Sequence, residues 1–327
     1  MKLKIFFFTI FWHAFFLVNT QTCCSGGIPL SNSIGLESLD KGTLQLGINY
    51  DYNYLNTLKS GDEKLDDNSR LRITHSVLVN VGYSITNNLS VESLLTWVNQ
   101  RRNISQFGNE NLDVTSGIGD AVVLLKYNFS NVLFGANSDI NLGIGTKIPL
   151  GSSTETNTQG ITLNADLQPG SSAWDIIYWS QISKQFNFRP SFTISSRFIY
   201  RDPGINSSYF GDSTYEFGEE FQASLSFSDQ FLLFNTLTNP SVSFKYRDAQ
   251  KDQTGGGEIF STGGNWISII PNFSINIKPN IALSTRVEIP LYSNVDGTQL
   301  TPTYGITSGV FIKLAKRENI ININKTL

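Results

Sequence analysis

Apolar and polar residues alternate with a period of two along much of the chain. Between residues 43 and 54 the even positions carry Leu, Leu, Ile and three Tyr residues, whereas the odd positions carry Thr, Gln, Gly, Asn, Asp and Asn. Successive side chains of a β-strand point to opposite faces, so this segment has one apolar and one polar face. The pattern therefore predicts an extended strand with two chemically different sides.

Twelve segments of the chain show this alternation, and we expect each of them to form a strand. Most are longer than the 5–6 residues that are usual for strands of globular proteins. They are long enough to cross a bilayer at a tilt, which takes about 9–11 residues. The twelve segments are 43–55, 70–85, 89–100, 118–129, 138–149, 173–185, 189–201, 215–227, 240–248, 264–277, 280–292 and 304–315.

The connections between these segments alternate in length. Those after the even-numbered segments include tight turns, such as 86–88 and 278–279. Those after the odd-numbered segments are long and polar, and they are 56–69, 101–117, 150–172, 202–214, 249–263 and 293–303. Outer-membrane barrels have an even number of strands, short periplasmic turns and long external loops. The chain is therefore predicted to be all-β, a transmembrane antiparallel up-and-down β-barrel of about 12 strands with both termini in the periplasm.

The two ends of the chain do not follow the alternation. Lys2 and Lys4 precede an apolar run over 5–18, which is the pattern of a secretory signal peptide. No second run of 18 apolar residues follows, which argues against a multi-span helical membrane protein. The predicted regions are a signal peptide (1–20), an N-terminal periplasmic or lumen-plugging segment (21–42), an outer-membrane β-barrel (43–315) and a C-terminal periplasmic tail (316–327).

Composition limits the chemistry that the chain can carry. The formal net charge is −3 and there is no basic block, so no nucleic-acid partner is expected. Cys23 and Cys24 are the only cysteines, and His75 is the only histidine after the predicted signal peptide. A zinc site built from protein alone normally needs three or four N or S ligands. We therefore expect no metal site and no cofactor.

Cys23 and Cys24 are adjacent, so they cannot staple distant elements together. A disulfide between the two would be chemically possible in the oxidising periplasm and would make a rigid kink. Acylation of Cys23 as a lipid anchor is the other interpretation. The residues that follow, 25–39, could enter the lumen as a plug.

The polar faces of the predicted strands collect charged side chains, which we expect to line the lumen. Because a barrel of about 8–12 strands has little room beyond its side chains, these charges could form an ion-pair network that fills it. The functional interpretation is a polar pathway that selects small solutes by charge. The candidate lumen-lining residues are Asp51, Arg70, Arg72, Glu92, Asp120, Lys126, Lys147, Arg197, Arg201, Glu216, Glu220, Lys245, Arg247, Arg286 and Glu288.

His75 is the only candidate for a catalytic base, and it lies on the apolar face with Asn99 predicted opposite. Twelve-stranded outer-membrane phospholipases carry a serine two residues from such a histidine, where this chain has Val77. Ser93 shares the face but lies about six residues from the pairing position, roughly 20 Å away at the rise of a strand. A nucleophile must reach its base within a hydrogen bond. We therefore expect no enzyme activity and assign no catalytic residue.

Several short motifs resemble the outer-membrane barrels that are assigned to the MetA pathway of phenol degradation or described as transporters. The motifs span nearly the whole predicted mature chain. They are Cys23-Cys24-Ser-Gly-Gly, Gly42-Thr-Leu-Gln-Leu-Gly, Tyr50-Asp-Tyr-Asn, Thr115-Ser-Gly-Ile-Gly-Asp120, Lys147-Ile-Pro-Leu-Gly-Ser-Ser, Asp166-Leu-Gln-Pro-Gly-Ser, Thr262-Gly-Gly-Asn-Trp, Glu288-Ile-Pro-Leu-Tyr and Gly297-Thr-Gln-Leu-Thr-Pro. Barrels of this kind usually end on an aromatic residue, whereas here 316–327 follow the last predicted strand.

The resemblance implies a Sec-exported outer-membrane channel or transporter for small molecules, with hydrophobic or aromatic molecules as candidates. Its expected partners are outer-membrane lipid, the barrel-assembly machinery and a small-molecule solute. The alternative is a closed structural or partner-docking barrel without transport activity.

Overall fold

The computed structural model describes residues 34–36, 40–106, 109–131, 135–209, 211 and 213–314. The predicted signal peptide, Cys23, Cys24 and the predicted tail lie outside these residues. The described chain is built almost entirely of antiparallel strands. Their bounds are β1 (Leu44–Gly61), β2 (Glu63–Lys64), β3 (Arg70–Ser84), β4 (Leu89–Gln106), β5 (Asn109–Ile118), β6 (Ala121–Ser130), β7 (Ser138–Ile148), β8 (Asp175–Phe186), β9 (Arg189–Asp202), β10 (Ile205–Tyr209), β11 (Ser213–Glu216), β12 (Glu220–Ser228), β13 (Phe231–Leu233), β14 (Thr236–Ala249), β15 (Gln253–Thr254), β16 (Gly257–Glu258), β17 (Gly264–Lys278) and β18 (Ile281–Leu314).

Eleven of these strands form a closed ring. Its order is β1, β3, β4, β6, β7, β8, β9, β12, β14, β17 and β18, and β18 pairs again with β1. β12 also pairs with β14, so the ring has no open edge between these two strands. A closed sheet leaves no edge with unpaired amides, which is the requirement for a sheet that meets lipid. The predicted all-β antiparallel barrel is therefore confirmed.

The last strand, β18, is 34 residues long and crosses the wall twice. Its first part pairs with β17, and its second part pairs with β1. The Lys313 N–H donates to the Asn280 carbonyl oxygen at 2.9 Å, and the hydroxyls of Thr285 and Ser308 lie 3.0 Å apart. The two parts are therefore antiparallel neighbours that reverse near Gly297, whose φ is +64°. Ten strands run along the barrel wall once and β18 runs along it twice, so the wall consists of the twelve predicted strand segments.

The prediction of a long loop at 101–117 was wrong. There β4 continues to Gln106 and returns as β5, which pairs with β4 from Trp97 to Gln106. β6 then pairs with the first residues of β4, Leu89 to Leu94. β5 and β6 therefore form one crossing of the barrel wall that is interrupted at Gly119 and Asp120. The alternation fails over 101–111 because both faces carry polar residues, as expected of strands that extend beyond lipid.

The two ends of the barrel differ. At one end, short connections such as 187–188 and 279–280 join neighbouring strands, and we call it the turn end. The opposite end, here the loop end, carries a second sheet of four short strands in the order β10, β11, β15 and β16. The loop end also holds the β7–β8 connection, residues 149–174, which folds into the barrel and is here called the inner loop. The inner loop contains a short 3-10 turn, Ala165–Leu167.

The two faces of the wall differ as the alternation predicts. Outward-facing side chains such as Ile48, Trp97 and Tyr178 are about half exposed. Side chains on the other face are mostly buried and polar, with one apolar cluster that includes Leu78, Leu94, Val122, Leu124, Ile177, Trp179 and Ile199. Within the described residues, no helix has both the length and the apolar character that crossing a membrane requires.

Candidate functional site

Ion pairs on the inner face link the strands from β4 round to the first part of β18. Glu92 pairs with Lys126 at 2.8 Å, and Lys245 with Glu288 at 2.5 Å. Lys147 lies 3.6 Å from Asp120 and 2.7 Å from Asp175. Arg201 then joins Asp175 to Glu220, at 3.5 and 3.6 Å, and Arg247 pairs with Glu220 at 3.0 Å. We call these ten side chains the charge belt.

The charge belt is mostly buried, with Arg247 and Glu288 partly exposed, and it is electrically balanced. Its cations are Lys126, Lys147, Arg201, Lys245 and Arg247, and its anions are Glu92, Asp120, Asp175, Glu220 and Glu288. Removing one partner of a buried pair typically costs about 3–5 kcal/mol, because a buried charge is left without compensation. The belt thus ties neighbouring strands together by side chains as well as by backbone hydrogen bonds.

Residues 34–36 lie inside the barrel and are held by Glu92. The Gly35 N–H donates to both oxygens of the Glu92 carboxylate at 3.0 and 3.1 Å, and the Leu36 N–H donates to one of them at 2.9 Å. Lys126 Nζ donates to the Leu36 carbonyl oxygen at 2.5 Å. Ile34 is buried in the apolar cluster beside Trp179. Part of the predicted N-terminal segment 21–42 therefore contacts the inner wall through charge-assisted hydrogen bonds.

The backbone of this short segment requires a glycine. Gly35 has a φ of +104°, a backbone conformation that residues other than glycine rarely adopt. A Cβ at this position would also lie 2.8 Å from the Trp179 ring. Lys126 Nζ also lies 5.4 Å from the centroid of the same ring. Glu92, Lys126 and Trp179 thus form one binding site on the inner wall for residues 34–36.

Asp120 anchors the inner loop. Its Oδ1 accepts a hydrogen bond from the Gly151 N–H at 3.0 Å, and its Oδ2 accepts bonds from the Ser171 N–H at 3.0 Å and hydroxyl at 2.7 Å. The two ends of the loop thus meet on one fully buried carboxylate at the interruption between β5 and β6. Further along, the Thr115 hydroxyl donates to the Leu167 carbonyl oxygen at 2.6 Å. The inner loop therefore narrows the loop end of the barrel.

A cavity of about 570 Å³ remains at the loop end. Arg72 on its wall pairs with Asp166 of the inner loop at 2.8 Å and also hydrogen-bonds Gln100. The remaining lining comes from β1, β3, β4, the inner loop, the second sheet with the segments next to it, and the turn of β18. It comprises Leu55, Arg70, Arg102, Ile104, Asn164, Ala165, Tyr209, Tyr215, Asp252, Thr254, Ile259, Ser261, Thr262, Thr298, Gln299 and Leu300. The cavity thus has charged, polar and aromatic walls.

Asp252 joins the second sheet to the barrel at this cavity. It accepts hydrogen bonds from the Tyr215 hydroxyl at 2.5 Å and from the Gly218 N–H at 2.9 Å. Burial raises the pKa of the Asp252 carboxyl to about 6, although these two hydrogen bonds act in the opposite direction. Burial and the neighbouring Asp252 charge also raise the pKa of Tyr215.

The other predicted lumen-lining residues occupy different places. Asp51 accepts a hydrogen bond from Thr307 at 2.6 Å, and Arg197 donates to Gln181 at 3.1–3.2 Å. Arg286 has a buried Nε without a hydrogen-bond partner in the described chain. Glu216 lies in β11 of the second sheet rather than in the barrel wall, because the strand is interrupted at 217–219 before β12 begins.

His75 pairs with Asn99 in the register of β3 and β4, as predicted, and Ser93 pairs with Val81. The His75 ring lies on the outer face beside Tyr50, whose hydroxyl is 2.6 Å from His75 Nδ1. Tyr52 also contacts the ring, at 5.3 Å between centroids. His75 therefore belongs to an outer cluster of aromatic residues.

Sequence reasoning missed the contacts that cross the interior. The alternation marked Glu92, Lys126 and Asp120 as polar-face residues, but it carried no sign that their partners are backbone amides of residues 35, 36, 151 and 171. Arg102 and Asp113, which pair at 2.8 Å, fell in the region predicted as a loop.

No family model matches the chain, and no curated protein matches it. Among solved structures, it is similar to an outer membrane channel from Pseudomonas putida F1, with 13% identity and a TM-score of 0.66 over 88% of this chain and 100% of that one. The β-domain of the Bordetella autotransporter BrkA aligns with a TM-score of 0.46 at 9% identity, over 84% of this chain and 100% of the other. The monoaromatic hydrocarbon channel CymD gives 0.39 at 9% identity, over 86% and 90%. The last two alignments are too loose to carry an argument, but the first covers the whole channel. The chain therefore has the closed all-β barrel fold of an outer-membrane channel.

Proposed function

We propose that this protein is an outer-membrane channel for small molecules. The observation that carries the proposal is a closed barrel with a lipid-compatible outer face and a charged inner face. Lipid requires every backbone amide of a spanning sheet to be paired. The similarity in fold to the Pseudomonas putida channel supports this interpretation.

In this proposal the turn end faces the periplasm and the loop end faces the outside, since external loops are the longer ones in such barrels. Both termini then lie in the periplasm, after Sec export and removal of residues 1–20. Insertion requires outer-membrane lipid and the barrel-assembly machinery. The mass of the protein purified from outer membranes tests the cleavage, and protease digestion of whole cells tests which loops are external.

Two elements regulate passage in this proposal. Residues 34–36 close the lumen from one side while Glu92 holds them. The inner loop narrows the other side while Asp120 holds both of its ends. The candidate lumen-lining residues of the charge belt form the wall between them. The cargo is a small solute, and hydrophobic or aromatic molecules are the first to test.

Conductance of the refolded protein tests the proposal. We expect ion currents in planar bilayers and solute-dependent swelling of liposomes, both increased by deletion of residues 21–42. Heat-modifiable migration on gels verifies that each variant has folded. If the intact and the truncated protein both fold but neither conducts ions nor admits solutes, the channel proposal fails.

That negative result would favour a closed structural or partner-docking barrel. The specific observation behind this alternative is the balanced charge belt, which fills interior space with paired side chains. A barrel of about twelve strands has limited room beyond its own side chains.

A further inference from the structure

One cation that lines the cavity at the loop end has no ion pair among the described residues. Arg72 is bound by Asp166 and Arg102 by Asp113, each at 2.8 Å. Arg70 lines the same cavity, its Nε is buried without a hydrogen-bond partner, and it takes part in no ion pair of the described residues. A guanidinium presents a planar fork of donors that matches a carboxylate. Arg70 is therefore equipped to bind an incoming carboxylate.

One acceptor that lines the same cavity is also unused by the described residues. Gln299 is 5% exposed, and its Nε2 donates to the carbonyl oxygens of Gly263 and Asp296, both at 2.7 Å. These bonds fix the amide, whose Oε1 is buried without a partner. Because buried polar atoms are normally hydrogen-bonded, this oxygen is a place for a donor from a ligand.

Apolar side chains also line this cavity. Leu55, Ile104, Ile259 and Leu300 contribute aliphatic surface. Tyr209 and Tyr215 add rings whose hydroxyls are already occupied, by the Leu163 carbonyl oxygen and by Asp252. The volume of about 570 Å³ falls within the range of small-molecule sites, roughly 300–1,000 Å³.

We propose that this cavity binds small carboxylates with an apolar body of about one ring, held at the carboxylate by Arg70. A hydroxyl on the ring of such a molecule donates to Gln299 Oε1. This inference deepens the proposed channel function, on which it rests, by naming a class of cargo and its first binding site.

Titration calorimetry of the refolded barrel in detergent tests the proposal with four probes. Benzoate carries ring and carboxylate, 4-hydroxybenzoate adds the donor, acetate lacks the ring and benzyl alcohol lacks the charge. We expect 4-hydroxybenzoate to bind most tightly and benzoate next. Benzyl alcohol should bind at least about tenfold more weakly than benzoate, since a hydrogen bond to a charged group is worth about that factor. Acetate should also bind at least about tenfold more weakly, because it buries no apolar ring.

Arg70→Gln is expected to weaken benzoate binding about tenfold or more, and Arg70→Lys is expected to retain part of it. Arg101→Gln is the matched control, because Arg101 is exposed on the other face of the adjoining strand, β4. Heat-modifiable migration shows that each variant is folded. The other role open to Arg70 is purely local: it lowers the pKa of Asp67, after the stronger effect of Ser69.

The proposal is overturned if the folded wild type does not bind benzoate, if Arg70→Gln binds it as the wild type does, or if benzyl alcohol binds equally well. Binding in detergent does not depend on conduction. Binding without conductance therefore contradicts the channel and supports the site, whereas conductance without binding does the reverse.

Discussion

Replacement of Glu92 by Gln should release residues 34–36 from the wall. The carboxylate has two oxygens and accepts from the Gly35 and Leu36 N–H groups, whereas a Gln side chain offers a single carbonyl oxygen at the same place. One charge-assisted bond is lost and the remaining one becomes neutral.

The expected size of the effect follows from these bonds. A hydrogen bond to a charged group contributes about 1.5–3 kcal/mol and a neutral one about 0.5–1.5 kcal/mol. The net loss is about 2–4 kcal/mol, or roughly 30- to 1000-fold in the equilibrium between held and released segment. Lys126 keeps the Leu36 carbonyl oxygen as an acceptor, which opposes release, so about 30-fold is expected for the single variant. Adding Lys126→Met removes that bond and moves the effect towards the upper value.

Single-channel recording measures the open fraction directly. The protein without residues 21–42 gives the fully open reference. Glu110→Gln is the control, because Glu110 is exposed on β5. The reasoning is refuted if the truncated protein opens while Glu92→Gln stays as closed as the wild type, since release would then not depend on the carboxylate.

Three further perturbations test other parts of the structure. Asp120→Asn should free the inner loop, because the two bonds from Ser171 lose their charged acceptor at a cost of about 1.5–3 kcal/mol for each bond lost, while Lys147 keeps Asp175 as its partner. The loss should be visible as faster proteolysis between residues 151 and 171. Gly145→Ala should lower the yield of heat-modifiable barrel, because a Cβ there would overlap the Val123 carbonyl oxygen of the paired strand. Because the pKa of Asp252 is raised to about 6, the folded state holds its proton more tightly than the unfolded chain, so its contribution is greatest below about pH 4 and is lost as pH rises through 6. Proteolysis of 250–263 should therefore be slower at pH 5 than at pH 7.5, and Asp252→Asn should remove this difference.

Each of these variants has a matched control. Asp66→Asn changes an exposed carboxylate of a loop, and Gly257→Ala places a Cβ no closer than 3.7 Å to its neighbours. Equal proteolysis of Asp120→Asn and Asp66→Asn would contradict the anchoring role of Asp120. Equal yields of the two alanine variants would contradict the close strand contact. A pH dependence that persists in Asp252→Asn would assign it to another group.

The barrel wall could be predicted from the sequence because lipid and lumen impose opposite chemistry on the two faces. Each of the twelve predicted segments overlaps one passage; for example, 70–85 was predicted where β3 spans Arg70–Ser84. The pattern needs only the two-residue period of a strand and no knowledge of its neighbours.

At the loop end this signal disappears. The upper hairpin of β4 and β5 and the sheet of β10, β11, β15 and β16 carry polar residues on both faces, so most of their residues were predicted as loops. Glu216 was assigned to the lumen by extending an alternation that the chain breaks at 217–219. Strands that contact water on both faces need no alternation of apolar and polar residues, so their sequences lack the period of two that predicted the other strands.

For the candidate site, the sequence predicted only which residues lie on the inner face of each strand. Alternation says that Glu92 points inward, but not which residue stands opposite it, because that depends on the curvature of the closed wall. Its partners Lys126 and Gly35 lie 34 and 57 residues away along the chain. Arg70 and Gln299 are brought to one cavity by the pairing of β1 with both β3 and β18, which no local pattern encodes.

The pairing of β1 with β18 also determines when this molecule can become complete. Thr307 and Asp51, hydrogen-bonded across that seam, are 256 residues apart in the chain. Contacts of such high sequence separation form late and slowly, because a long loop must be closed before they contribute. A chain whose β18 is not yet available therefore cannot seal the wall, and it must be kept from aggregating until that strand arrives. A circular permutant opened near Gly297, with residues 44 and 314 linked, would make the seam the most local contact of the wall and should shorten that vulnerable interval.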